Sequence, residues 1–125
     1  MLFSKGLSAE SRIIVTEELT AATMGSGDMS VFATPAMIAL MENAAMKAVA
    51  PALEEGQTTV GTSISTSHLR PSALGAEICA KAELIEIDGR SLEFSITAYD
   101  GDRLIGEGRH SRFIVDKERF LAKLA

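Results

Sequence analysis

Glu42 interrupts an otherwise apolar stretch, VFATPAMIALMENAAMKAVAP, that spans residues 31–51. An ionised carboxylate left unpaired in such surroundings is costly, which leaves three arrangements open: a protonated acid with a raised pKa, a carboxylate with hydrogen-bonding partners, or one that faces a cleft or subunit boundary. A plainer alternative is that Glu42, Asn43 and Lys47 form a narrow solvated stripe. His68 closes an alternating segment just before Arg70-Pro71, where an imidazole can move protons near neutral pH or simply hold the strand end. Thr34 precedes Pro35, and a hydroxyl there suits a helix cap. In GEGRHSR, Gly106, Gly108, His110 and Arg112 share one face, with the small residues making room for a neighbouring element. Carboxylate, imidazole and hydroxyl are the groups that acid–base and nucleophilic chemistry employs. Taken one at a time, each has an equally good structural role.

These residues need a scaffold, and the patterning supplies one. RIIVTEELT (12–20) is β-branched and reads as a first strand; AATMGSGDMS (21–30) reads as a loop. Thr34 as N-cap with Pro35 at the first helical position starts a helix that Pro51 must end. Its apolar residues (Met37, Ile38, Leu40, Met41, Ala44, Ala45, Ala48 and Val49) occupy most of the circumference, so the helix is buried. TTVGTSISTSHL alternates, with Val60, Thr62, Ile64, Thr66 and His68 on one face. EICAKAELIEI and SLEFSITAY flank Asp88-Gly89, and Asp100-Gly101 returns the chain into RLIGEGRHSRFIV. KERFLAKLA suits a short amphipathic helix. The order is therefore strand, long buried helix, then four strands in a meander. Such parts bury one another as an α+β hot-dog fold, a curved antiparallel sheet of about five strands wrapped around one helix, forming a single domain over residues 1–125. A ferredoxin-like arrangement would want a second long helix between strands.

Composition narrows the function. A net charge of −5 argues against a nucleic-acid partner, and no apolar run is long enough to cross a bilayer. The opening MLFSKGLSAESR lacks an apolar signal-peptide stretch and a small-residue cleavage site, so a cytoplasmic location is expected. The single cysteine, Cys79, has no cysteine or histidine partner at zinc spacing, and reads as a small core residue with no metal role.

Thr34, Glu42 and His68 stand in a familiar order and context. Through GSGDMSVFATPAMIALMENAA, TSHLRPSALGAEICAKAELIEIDGR, FSITAYDG and IGEGRHSRFIV, the chain resembles the fluoroacetyl-CoA thioesterase-like branch of the hot-dog thioesterases. The resemblance implies hydrolysis of a small or short-chain acyl-CoA without a cofactor. It places a catalytic set on Thr34, Glu42 and His68, with a backbone amide near Gly61 holding the thioester oxygen. Glu42 would be nucleophile or general base, His68 would transfer protons, and Thr34 would position its neighbours. CoA phosphates require local cations, for which Arg70, Arg109 and Arg112 are candidates; Arg112 also matches the closing His-x-Arg pattern.

Two features qualify that expectation. Eight helical residues separate Thr34 from Glu42 by about 12 Å along the axis, too far for a direct hydrogen bond. A site at a homodimer interface answers this; whether such dimers pair into a tetramer is left open by the sequence. Members selective for fluoroacetyl groups cover the acyl pocket with aromatic residues before the helix, whereas MGSGDMSVF offers only Phe32. Met24, Met29, Met37 and Met41 could line an adaptable pocket or simply fill the core. Two other readings share the scaffold: an enoyl-thioester hydratase or dehydratase, and a non-catalytic acyl-CoA-binding module.

Overall fold

The computed structural model describes residues 3–125; the sequence expectation for the chain start also covers Met1 and Leu2, which lie outside them. Strands β1 (Ser8–Ile14), β2 (Gln57–His68), β3 (Glu77–Asp88), β4 (Ser91–Asp100) and β5 (Arg103–Asp116) form one antiparallel sheet in the order β1-β3-β4-β5-β2. Helix α1 (Ala21–Met24) is a single turn, α2 (Thr34–Val49) the long helix, and α3 (Lys117–Ala122) a short C-terminal one. The sheet buries Ile78, Ala80, Ala82 and Leu84 of β3 and Leu92, Phe94, Ile96 and Ala98 of β4 against α2. From the helix come Met37, Leu40, Met41, Ala44, Ala45, Ala48 and Val49. This is the hot-dog arrangement, in which a curved sheet and one apolar helix exclude water from each other; each large side chain so buried contributes about 1.5–3 kcal/mol.

The polar stripe on α2 divides in two. Asn43 and Lys47, one helical turn apart, dock on β1: Ser11 Oγ donates to Asn43 Oδ1 at 2.6 Å, and Lys47 Nζ donates to the Glu10 carbonyl at 2.7 Å. Glu42, rotated about 100° from Asn43, faces the other way, toward β2 and β5.

Several sequence expectations are corrected. The first strand is Ser8–Ile14, not 12–20, because pairing with β3 (Ser8 opposite Glu83, Ile14 opposite Glu77) outweighs local β propensity. Glu17–Leu19 is a 3-10 turn, and Thr20 Oγ1 accepts from Thr23 N to cap α1 inside the segment read as loop. The N-cap of α2 is Ala33, so Thr34 is already helical and its hydroxyl is free for another partner. Only β3, β4 and β5 form a meander; β2 pairs with β5 at the far edge. The hairpins are two-residue turns that open on Gly89 and Gly101, both at φ +62°, a conformation other residues rarely adopt. By contrast, residues 69–76 carry the chain from one sheet edge toward the other and bridge to Val31 through Ala73.

The alternation along β2 also breaks. The register against β5 slips between Gly61 and Ser63, leaving Thr62 as the extra residue of a bulge. Thr59 and Gly61 before it, and Ile64, Thr66 and His68 after it, all reach inward-facing partners. Without the bulge, Gly61 and His68, an odd number of residues apart, would face opposite sides of the sheet.

Candidate active site

The helix-facing side of β2 carries two groups of polar residues. At the start of α2, Thr34 Oγ1 lies 2.7 Å from His68 Nδ1. The Phe32 ring, 2% exposed, stands edge-on to the imidazole with centroids 6.4 Å apart. His68 Nε2 is shielded and has no hydrogen-bond partner among the described residues. Val31, Phe32, Thr34, His68, Leu69 and Arg70 line a hollow of about 300 Å³. Burial holds the His68 pKa below its ordinary value, with the Arg70 main chain pulling weakly the other way. A larger hollow, about 360 Å³, lies on the sheet face away from α2 among Glu10, Lys81, Glu83 and Thr97, and contains none of these residues.

The second group sits two helical turns on. Glu42 Oε2 is 4.0 Å from Arg112 Nη1; the Glu42 side chain is 41% exposed and that of Arg112 only 8%. The carboxylate expected in apolar surroundings is thus half-open and faces a buried cation. Gly61 leaves room for it, since a Cβ at that position would stand 2.9 Å from Glu42 Oε2 and 3.2 Å from His110 Cε1. The Arg112 guanidinium donates to Thr59 Oγ1 (2.8 Å) and the Thr59 carbonyl (2.9 Å), and its Nη1 is 3.1 Å from His110 Nε2. His110 Nδ1 lies 2.8 Å from the Ser63 carbonyl, which can only accept, so the proton is on Nδ1 and Nε2 accepts from Arg112. Burial lowers the His110 pKa, as does the Arg112 charge, against opposing pulls from the Ser63 carbonyl and Glu42. Burial likewise lowers that of Arg112, with Glu42 opposing.

The structure therefore joins Thr34 to His68, and Glu42 to Gly61 and Arg112, but α2 runs unbroken between the two stations. Of the cations considered for CoA, Arg70 lines the His68 hollow and donates to the Leu104 carbonyl at 2.8 Å. Arg109 points to the opposite sheet face from His110, where it meets Glu93 at 3.3 Å. Arg112 is buried and gives its Nε, Nη1 and Nη2 to Thr59 and His110, so it offers little to a phosphate arriving from solvent. Met37 and Met41 are fully buried core, whereas Met24 and Met29 are exposed. Cys79 is buried, and burial raises its thiol pKa, the opposite of what a nucleophile needs. Sequence reasoning gave Thr59 and Ser63 no role at the site: plain alternation puts them with Gly61 on the face opposite His68, and only the bulge at Thr62 brings Thr59 and Gly61 to the side that His68 faces.

Residues 15–118 match the family model described as fluoroacetyl-CoA-specific thioesterase. The chain belongs to that family of thioester hydrolases. The fluoroacetyl-CoA thioesterase of Streptantibioticus cattleyicolor is 40% identical over 94 residues, which make up 75% of this chain and 68% of that protein. A crystallised mutant of the fluoroacetyl-CoA thioesterase in complex with acetyl-CoA aligns with a TM-score of 0.92 at 31% identity, over 98% of this chain and 96% of the other. A thioesterase superfamily member from Thermus thermophilus aligns at 0.89 with 29% identity, over 97% and 90%. No helix among the described residues is long and apolar enough to cross a membrane.

The two histidines make stability pH-dependent. Both have folded-state pKa values below the ordinary 6.5, so the unfolded chain binds protons more readily than the folded one. Their contribution is complete above pH 6.5 and is lost as pH falls from there toward the folded values. Thermal unfolding in a buffer series should show Tm falling below about pH 6.5, with a smaller fall in His110→Phe; a Tm that rises on acidification would contradict the assignment.

Proposed function

We propose that this protein is a cytoplasmic acyl-CoA thioesterase that hydrolyses a small or short-chain acyl-CoA to the free acid and CoA. The observation that carries the reading is the Thr34–His68 pair: both side chains line a hollow at the lower end of ligand-pocket volumes, and His68 Nε2 has no hydrogen-bond partner among the described residues. Glu42 attacks the thioester carbonyl or takes the proton of an attacking water, a backbone amide near Gly61 holds the developing oxyanion, and His68 Nε2 passes a proton to the departing thiolate. Thr34 fixes the imidazole orientation through Nδ1. Arg70, at the mouth of the same hollow, is the best placed of the three arginines for a CoA phosphate.

Glu42 and His68 meet in a homodimer. β2 is an edge strand, and its residues 61, 62, 63, 65 and 67 are exposed; an unpaired edge of that length is a template for a second strand. Two β2 edges running antiparallel about an axis near Ile64 and Ser65 bring His68 of one protomer close to Gly61 of the other, hence beside that protomer's Glu42. The Thr62 bulge lets Gly61 and His68 both face α2. The absence of an aromatic cover beyond Phe32 favours a non-fluorinated short acyl group.

Release of free thiol from acetyl-CoA tests the activity: a hydratase or a binding module frees no CoA from a saturated acyl thioester. Mixing inactive Glu42→Gln and His68→Ala proteins tests the shared site. With random exchange, half of the dimers are mixed and one of their two sites is intact, so about one quarter of wild-type activity returns. A site built within one protomer would recover none.

A further inference from the structure

We infer that His110 is a positioning residue: by accepting one of the two Arg112 Nη1 protons it holds the guanidinium back from Glu42, so that the carboxylate oxygens stay free for the thioester. The inference rests on the thioesterase reading of Glu42. Its basis is a chain of contacts that begins at the β2 bulge. The slipped register at Thr62 presents the Ser63 carbonyl to His110 Nδ1 at 2.8 Å, which fixes the proton there and leaves Nε2 as an acceptor. Nε2 sits 3.1 Å from Arg112 Nη1, while the same Nη1 stays 4.0 Å from Glu42 Oε2, beyond hydrogen-bond reach. Thr59 takes Nε and Nη2 from the other side of the guanidinium.

The cation is therefore held by neutral acceptors, although a half-open carboxylate is its nearest anion. A direct pair of this kind is ordinarily short and often bidentate, and it would occupy the lone pairs that attack or deprotonation needs. His110 itself is 1% exposed and packed against Phe94, with ring centroids 6.1 Å apart, so its place is fixed. The charged groups facing it are Arg112 on β5 and Glu42 on α2; the neighbouring Phe94, Gly61, Ser63 and Thr59 of β4 and β2 carry none. An imidazole protonated on both nitrogens has no acceptor for Arg112, and the buried setting works against that form.

The test pairs His110→Phe, which keeps the ring volume without an acceptor, with His110→Gln, whose amide oxygen can reach Nη1. In His110→Phe we expect kcat for thiol release to fall by at least about 30-fold with KM within about threefold, and a crystal structure to show Arg112 Nη1 drawn to within about 3.2 Å of a Glu42 oxygen. His110→Gln should recover most of the kcat at unchanged KM. An Arg112–Glu42 separation that stays near its wild-type length in His110→Phe overturns the inference, as does equal loss in both variants. Imidazole ¹⁵N spectra of the wild type provide a check that needs no variant to fold and no turnover: a proton on Nδ1 is expected, and one on Nε2 would overturn the inference. A wild type that releases no thiol sinks the thioesterase reading itself, which the spectra and the variant structure distinguish from failure of the Arg112 arrangement.

Discussion

Glu42→Gln should lower thiol release from a short acyl-CoA by about 10³-fold or more, within the range that loss of a nucleophile or general base produces. The amide keeps the volume and hydrogen-bonding capacity of the side chain but neither attacks a carbonyl nor accepts the proton of a water. The fold should tolerate it, because the side chain is 41% exposed and its contact with Arg112 is 4.0 Å long. Arg112 keeps Thr59 and His110 as acceptors in the variant, so the melting temperature should move by a few degrees at most. Retention of the wild-type rate would make Glu42 a structural residue and remove the mechanism.

Gly108→Ala should have the largest effect on stability. Gly108 pairs with Thr66 across β2 and β5, and a Cβ there would overlap the Ser65 carbonyl oxygen and stand 2.7 Å from Thr66 Cα. Both atoms are backbone, so nothing can swing aside. The strands must separate or shift, at about 3 kcal/mol or more, the upper end for overpacking. For a chain of this size that is a fall in Tm of roughly 10 °C or more. Since β2 carries both Gly61 and His68, activity should fall along with amide protection in β2. Gly106→Ala provides the control: its Cβ would meet Met37 Sδ at 2.6 Å, the far end of a flexible side chain that can yield. Equal losses in the two variants would mean that close approach of β5 to β2 is not what Gly108 provides.

Both variants probe the same dependence of the site on the edge strand. β2 contributes Thr59 to the Arg112 cradle, Gly61 to the space beside Glu42, Ser63 to the His110 tautomer and His68 to the Thr34 pair. One strand thus supplies both stations, and the bulge at Thr62 lets residues before and after it serve the same side.

What the sequence determined by itself is local or compositional. Pro35, Pro51 and the apolar circumference between them specify α2; the Asp-Gly pairs specify the two hairpins; the order of Thr34, Glu42 and His68 carries the family resemblance. These features arise from steric preferences and periodicity acting over a few residues. Only the tertiary structure decided the place of β2 at the far edge, the bulge that reverses its alternation, the shift of the α2 cap to Ala33, and the union of Thr59, His110 and Arg112 beneath Glu42. Each depends on partners remote in the chain, such as Thr34 with His68 or Ser63 with His110. Such contacts contribute free energy only once the strands have paired in one register, and a threonine or histidine in an alternating strand looks the same in the sequence whether it fills space or holds a cation in place.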